Sequence, residues 1–129
     1  MLVMVSETQP KIAMGLMSHV DNLPTFVEIQ REVNWYHADS NRHLMLWKDP
    51  KTRHFTAVIG VEEMDEILIL QLVAFGPEVA NYEQKLVGRE IYAALSNWFP
   101  KTTLMGTIRT QKILNEWKKQ QLTDIEMSD

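Results

Sequence analysis

The sequence predicts an α/β (α+β) chain: a mixed, mostly antiparallel sheet with helices on its faces, in the order β-α-α-β-β-β-α-β-α. Three observations predict it. Three strand-like runs follow one another with only short turns between them, Arg42–Lys48, Arg53–Glu63 and Glu66–Phe75, which is the pattern of an antiparallel meander. The last of these, EILILQLVAF, is continuously apolar and does not alternate, as in a central strand covered on both faces. A strongly amphipathic helix then separates it from a later strand, a β-α-β unit that adds a parallel strand by a right-handed crossover.

Taken in order, LVMV at Leu2–Val5 makes a short first strand, and Pro10 suits a first helical turn. KIAMGLMSHV follows, with Ile12, Leu16 and Val20 spaced four apart on one face, although Gly15 weakens the helix. Asp21 or Asn22 is expected to cap a second helix that has Pro24 near its start. Phe26, Ile29, Val33 and Tyr36 form its apolar stripe and Trp35 lies off it. HADSN ends that helix. RHLMLWK is a strand, DPKT a turn, RHFTAVIGVEE the return strand and EMDE the next turn. The helix after EILILQLVAF carries Val87, Ile91, Leu95 and Trp98 as one stripe with Ala94 alongside, and Pro100 marks its end. TTLM is a short strand, and TQKILNEWKK a last helix with Ile113, Leu114 and Trp117 apolar. Residues 1–120 are expected to form a single domain and 121–129 an acidic tail that frays.

With 129 residues, the chain fits one domain with one core. A net charge of -4, from 13 basic and 17 acidic residues, gives no electrostatic footprint for nucleic acid. The absence of cysteine excludes disulfides, a thiol nucleophile and cysteine-ligated metal. No positive region precedes the short apolar start, and no apolar run is long enough to span a bilayer, so a cytoplasmic, membrane-free protein is expected.

The stretch NYEQKLVGRE, at the strand-to-helix junction, is the main candidate site. A helix N-terminus offers unpaired N–H groups and partial positive charge, which suit a pyrophosphate. Lys85 and Arg89 would add charge, and Gly88 a close backbone approach. The same stretch also contains Asn81 and Gln84 at the spacing of a capping pair, which would satisfy those donors internally. Upstream, Leu72, Val73 and Ala74 are either ordinary ladder residues or an open strand edge on which a ligand with amide groups could pair. The four histidines show no metal-ligand spacing, so no metal is expected. Glu62, Glu63, Asp65 and Glu66 crowd one turn and suit water better than catalysis, and no G-x-S-x-G is present.

The element order, together with KIAMGLMSHV, NRHLMLWKD, AVIGVE and ALSNWF, resembles the GNAT superfamily, the GCN5-related acetyltransferases. Within it, the chain is similar to the small acetyltransferase-like proteins of riboflavin-biosynthesis operons in Gram-positive bacteria, from about Lys11 to Asn115. The resemblance implies a GNAT-like sheet in which acetyl-CoA lies in a gap between the fourth and fifth strands. The pantetheine amides would pair with Leu72, Val73 and Ala74, and the pyrophosphate would meet Lys85, Leu86, Val87, Gly88 and Arg89. The family loop pattern [RQ]-x-x-G-x-[GA] falls on Glu83–Gly88 and fits only at Gly88, with Glu83 on the basic position and Leu86 on the central glycine.

In the family, an amine attacks the thioester carbonyl directly, a base takes its proton, and a tyrosine of the last helix protonates the leaving thiolate. Here Leu114 falls on the tyrosine position and Glu66 is the nearest carboxylate to the base, so the resemblance carries over no catalytic residue. It implies an acetyl-CoA-dependent N-acetyltransferase for a small amine acceptor, linked to riboflavin metabolism by resemblance alone. The alternative is a non-catalytic GNAT-fold module that binds acyl-CoA or a protein partner. Many relatives add two further strands at the C-terminus. Without them the acceptor side is either open or completed by a second subunit in a homodimer.

Overall fold

The computed structural model describes residues 1–6, 10–19 and 25–127, with side chains described through 120. The elements are β1 (Leu2–Met4), α1 (Lys11–Met17), α2 (Phe26–His37), β2 (Arg42–Lys48), β3 (Phe55–Met64), β4 (Ile67–Phe75), α3 (Gln84–Trp98), β5 (Thr103–Gly106) and α4 (Gln111–Met127). This is the expected order. The strands form one five-stranded sheet in chain order, antiparallel except for the parallel β4–β5 pair.

Two apolar layers sandwich the sheet. On one face, Ile91 and Leu95 of α3 and Leu114 and Trp117 of α4 pack on Met45, Trp47, Ile59 and Val61. On the other, Ala13, Leu16 and Met17 of α1 and Ile29, Val33 and Tyr36 of α2 pack on Leu44, Leu46 and Val58. Both faces of β2 and β3 are thereby removed from water, which is why their sequences show little polar alternation.

A β-bulge divides β4. Gly60 pairs with Leu72 but Val61 pairs with Leu70, so Gln71 is one residue too many and has no partner on β3. The extra residue exchanges the faces of the strand. Leu68 and Leu70 belong to the α3/α4 layer, whereas Leu72 and Ala74 belong to the α1/α2 layer. A strand that supplies both layers in turn reads as one unbroken apolar run.

Several local expectations need correction. Ile12 is half exposed, and α1 instead buries Ala13, Leu16 and Met17, a narrower stripe that a helix of 7 residues can seat. Val20 and the capping candidates Asp21 and Asn22, with Pro24, lie outside the described residues. Thr25 caps α2, its hydroxyl accepting from the Glu28 N–H at 3.2 Å. Phe26 and Trp98 sit at the ends of their stripes and are exposed. The β3–β4 turn narrows to Asp65 and Glu66, with Asp65 in the left-handed region at φ 56°, which a short polar side chain tolerates. α4 spans Gln111–Met127, a stretch that no glycine or proline interrupts.

Candidate functional site: a split between two parallel strands

β5 is short, and its pairing with β4 ends at Leu70 and Gly106. At that point the Thr110 hydroxyl donates to the Leu70 carbonyl at 2.6 Å, which closes the ladder with a buried side chain. The chain then turns into α4, held by Thr107 N–H to Thr110 Oγ1 at 2.8 Å and by the Gly106 N–H to Gln111 Oε1 at 2.9 Å. β4 continues to Phe75, paired with β3 on one side and, among the described residues, with no strand on the side that β5 has left. The result is a cleft of about 550 Å³ along the edge Gln71–Phe75, walled by Arg109, Thr110 and Ile113 on one side and reached by His19 and Gln84.

Strand alternation decides which backbone groups of that edge are available. The Gly76 N–H donates to the Thr56 carbonyl at 2.8 Å, so Gly76 faces β3. Residues alternate in an antiparallel ladder, so Ala74 and Leu72 also face β3, and Val73 and Phe75 turn their N–H and C=O groups to the cleft. Of the residues expected to pair with a ligand, Val73 is therefore the one with an open backbone, while Leu72 and Ala74 are spent on the ladder and bury their side chains under α1 and α2.

At the outer end of the cleft lies the start of α3. The Asn81–Gln84 pair does not cap it. The Gln84 side-chain amide instead donates to Asn81 Oδ1 at 3.4 Å, and the helix has no side-chain cap. A tight turn leads in, with the Glu83 N–H on the Ala80 carbonyl at 2.8 Å and Glu83 already in a helical conformation. The capping expectation fails because Asn81 sits two residues before the N-cap position, which Glu83 occupies. The His54–Glu78 pair, at 3.0 Å, ties the preceding loop to the end of the β2–β3 turn.

The five α3 residues expected at a pyrophosphate divide by helix face. Lys85 and Leu86 are exposed in the first turn, Val87 and Arg89 are half-buried, and Gly88 is buried. Gly88 lies under α4. A Cβ placed on it would lie 1.9 Å from Trp117 Nε1 and 2.3 Å from its Cδ1. Its glycine is thus required by the crossing of α3 and α4. Leu114, on the position of the family tyrosine, is fully buried in the α3/α4 layer, and it is its neighbour Ile113 that borders the cleft.

Residues that sequence reading missed come from loops. Arg109 and Thr110 precede α4, and His19 follows α1; no periodicity marks such positions. Beside the bulge, Glu62 accepts from Arg42 Nε at 3.4 Å and from Gln71 Nε2 at 3.2 Å. Arg42 in turn donates to the Trp35 carbonyl at 3.1 Å and lies 4.1 Å over its ring, which accounts for Trp35 standing off the apolar stripe. Tyr36 crosses Trp35 edge-on and lies over Gly60, where a Cβ would fall 2.0 Å from its hydroxyl. That hydroxyl is buried and has no hydrogen-bond partner among the described residues. Burial pushes its pKa far up, with Glu32 adding to the effect and Arg109 opposing it.

No family model matches the chain. It is 24% identical over 117 residues, 90% of this chain and 93% of the relative, to an uncharacterised N-acetyltransferase in the lysA 3′ region of Bacillus methanolicus. An aminoglycoside 6′-N-acetyltransferase from Acinetobacter baumannii matches in structure with a TM-score of 0.61 at 14% identity, over 83% of this chain and 78% of that one. A spermidine N-acetyltransferase from Vibrio cholerae, in complex with CoA and spermine, matches with a TM-score of 0.56 at 11% identity, over 92% and 78%. The mixed sheet, its split after β4 and these matches agree with the resemblance read in the sequence: the chain has the fold of the GNAT superfamily, the GCN5-related acetyltransferases.

Proposed function

We propose that this chain is an N-acetyltransferase that takes its acetyl group from acetyl-CoA and passes it to a small amine. The observation that carries the reading is the open edge of β4 beyond Leu70, ending beside an uncapped helix start. Gln71 to Phe75 extends about 13 Å at ~3.3 Å per residue, a length suited to a pantetheine arm. The N–H and C=O groups of Val73 and Phe75 pair with its amides in the manner of an added strand. The first N–H groups of α3, with Gln84 and Lys85, receive the pyrophosphate. Acetyl-CoA supplies the acetyl group as a thioester. The acceptor nitrogen bonds to the acetyl carbon as the C–S bond breaks; one amine proton leaves, and sulfur takes a proton. The chain's part is to hold both partners at the base of the split, an effect that by itself accounts for much of a rate enhancement.

The burial of Leu114 favours a second reading, in which the chain binds acyl-CoA without transferring the acyl group. A cytoplasmic setting and the link to riboflavin metabolism rest on the sequence alone. Among the described residues, no helix is long and apolar enough to cross a membrane. Calorimetric titration with acetyl-CoA and CoA tests the shared premise, and thiol release with a panel of amines separates the two readings. No heat and no thermal shift with either nucleotide refutes both.

A further inference from the structure

We infer that the acceptor is an amine carrying an anionic group, a carboxylate or a phosphate, which Arg109 holds at the base of the split; this rests on the acetyltransferase reading. Arg109 adjoins Thr110, whose hydroxyl closes the β4–β5 ladder on Leu70, and as an exposed residue it lines the cleft beside that closure, where the proposed pantetheine arm would end. Its charge also acts on the buried Tyr36 phenol, opposing the rise that burial and Glu32 produce. Its backbone N–H meets Thr107 Oγ1 at 3.2 Å, but among the described residues the guanidinium has no ion pair.

The rest of the cleft has the same bias. No Asp or Glu lines it among the described residues. The nearest carboxylate beside the bulge, Glu62, already accepts from both Arg42 and Gln71, so its charge is offset and its oxygens are engaged. A polycation such as spermidine would meet an unpaired guanidinium and find no free carboxylate. A zwitterionic amine places its anion on Arg109 through a charge-assisted, planar contact, which leaves its nitrogen free to face the thioester.

The test uses the whole chain saturated with CoA, titrated with O-phosphoethanolamine, β-alanine, ethanolamine and spermidine. Binding is read by thermal shift, and turnover by thiol release from acetyl-CoA. One or both anionic amines should bind roughly 10- to 100-fold more tightly than ethanolamine and spermidine, the range of a hydrogen bond to a charged group. Arg109→Gln should abolish the preference while CoA still shifts the melting temperature, and Arg109→Lys should keep part of it. Spermidine binding as well as or better than both anionic amines overturns the inference. So does the absence of any preference, or a preference that survives in Arg109→Gln. Failure of CoA to bind the unaltered chain is a different result and refutes the acetyltransferase reading itself.

Discussion

Gly88→Ala separates two roles that one glycine could have. If Gly88 serves the crossing of α3 and α4, the substitution costs stability; if it serves phosphate, it costs CoA affinity. The structure supplies the magnitude. The new methyl would lie 1.9 Å from Trp117 Nε1, so the ring must retreat by about 1.5 Å to reach ordinary contact, and Trp117 is 1% exposed. Overpacking of this kind costs up to about 3 kcal/mol, and the better helix propensity of alanine returns about 1 kcal/mol. The net is about 2 kcal/mol. At ~2.1 cal/mol/K per residue, 129 residues give an unfolding entropy of about 0.27 kcal/mol/K, and hence a fall in melting temperature of about 7 °C. Differential scanning calorimetry of Gly88→Ala checks this. In a Trp117→Leu background the clash is gone and the same substitution should change sign, raising stability by up to about 1 kcal/mol. A Gly88→Ala variant with an unchanged melting temperature and weakened CoA binding would refute the packing role.

Other substitutions test the sheet and the split. Tyr36→Phe removes a buried hydroxyl that has no partner, so stability should hold or rise by about 1 kcal/mol; a loss of that size in urea titration would mean the hydroxyl is paired. The same phenol has a raised pKa in the folded chain. Above the ordinary tyrosine pKa of ~10 the unfolded chain therefore binds fewer protons than the native one, and stability falls as pH rises. Ultraviolet titration should find this tyrosine un-ionised until the chain unfolds. Thr110→Val strands the Leu70 carbonyl and should cost about 1–3 kcal/mol, measured by chemical denaturation. Val73→Pro deletes an N–H that faces the cleft rather than β3, so CoA affinity should fall about tenfold, and by more than the melting temperature change explains. Unchanged affinity would place the ligand elsewhere.

Most of the fold was legible because strands and helices here obey their periods. Arg42–Lys48 is bounded in the structure as it is in the sequence, and the unbroken apolar run of β4 correctly implied cover on both faces. The cause of that run was not legible. Alternation fails in β4 because Gln71 is inserted and the strand changes faces, and a single extra residue leaves no mark in composition. The exposed ends of stripes, Phe26 and Trp98, were misread for a related reason: period assigns a residue to a helix face but does not say where the neighbouring element stops covering it.

The cleft beside the candidate residues was not legible in detail, and the physical origin of the split explains why. A phosphate loop is sought through its glycines, but the cleft here is made by the short pairing of β5 and by one threonine that terminates it on Leu70. Leu86 in place of a glycine is thus less damaging than it looks in sequence, because Leu86 is 47% exposed and need not point its Cβ at a ligand. Gly88, the one residue that fits the pattern, is held by Trp117 instead. On the proposed function, what would position a ligand is strand topology: an edge that loses its neighbour after Leu70, the backbone of Val73 and Phe75 turned outward, and a helix start left without a side-chain cap. These depend on backbone geometry, which many sequences can satisfy, and so a loop that departs from the family pattern at most positions can stand in the same fold beside an open strand edge.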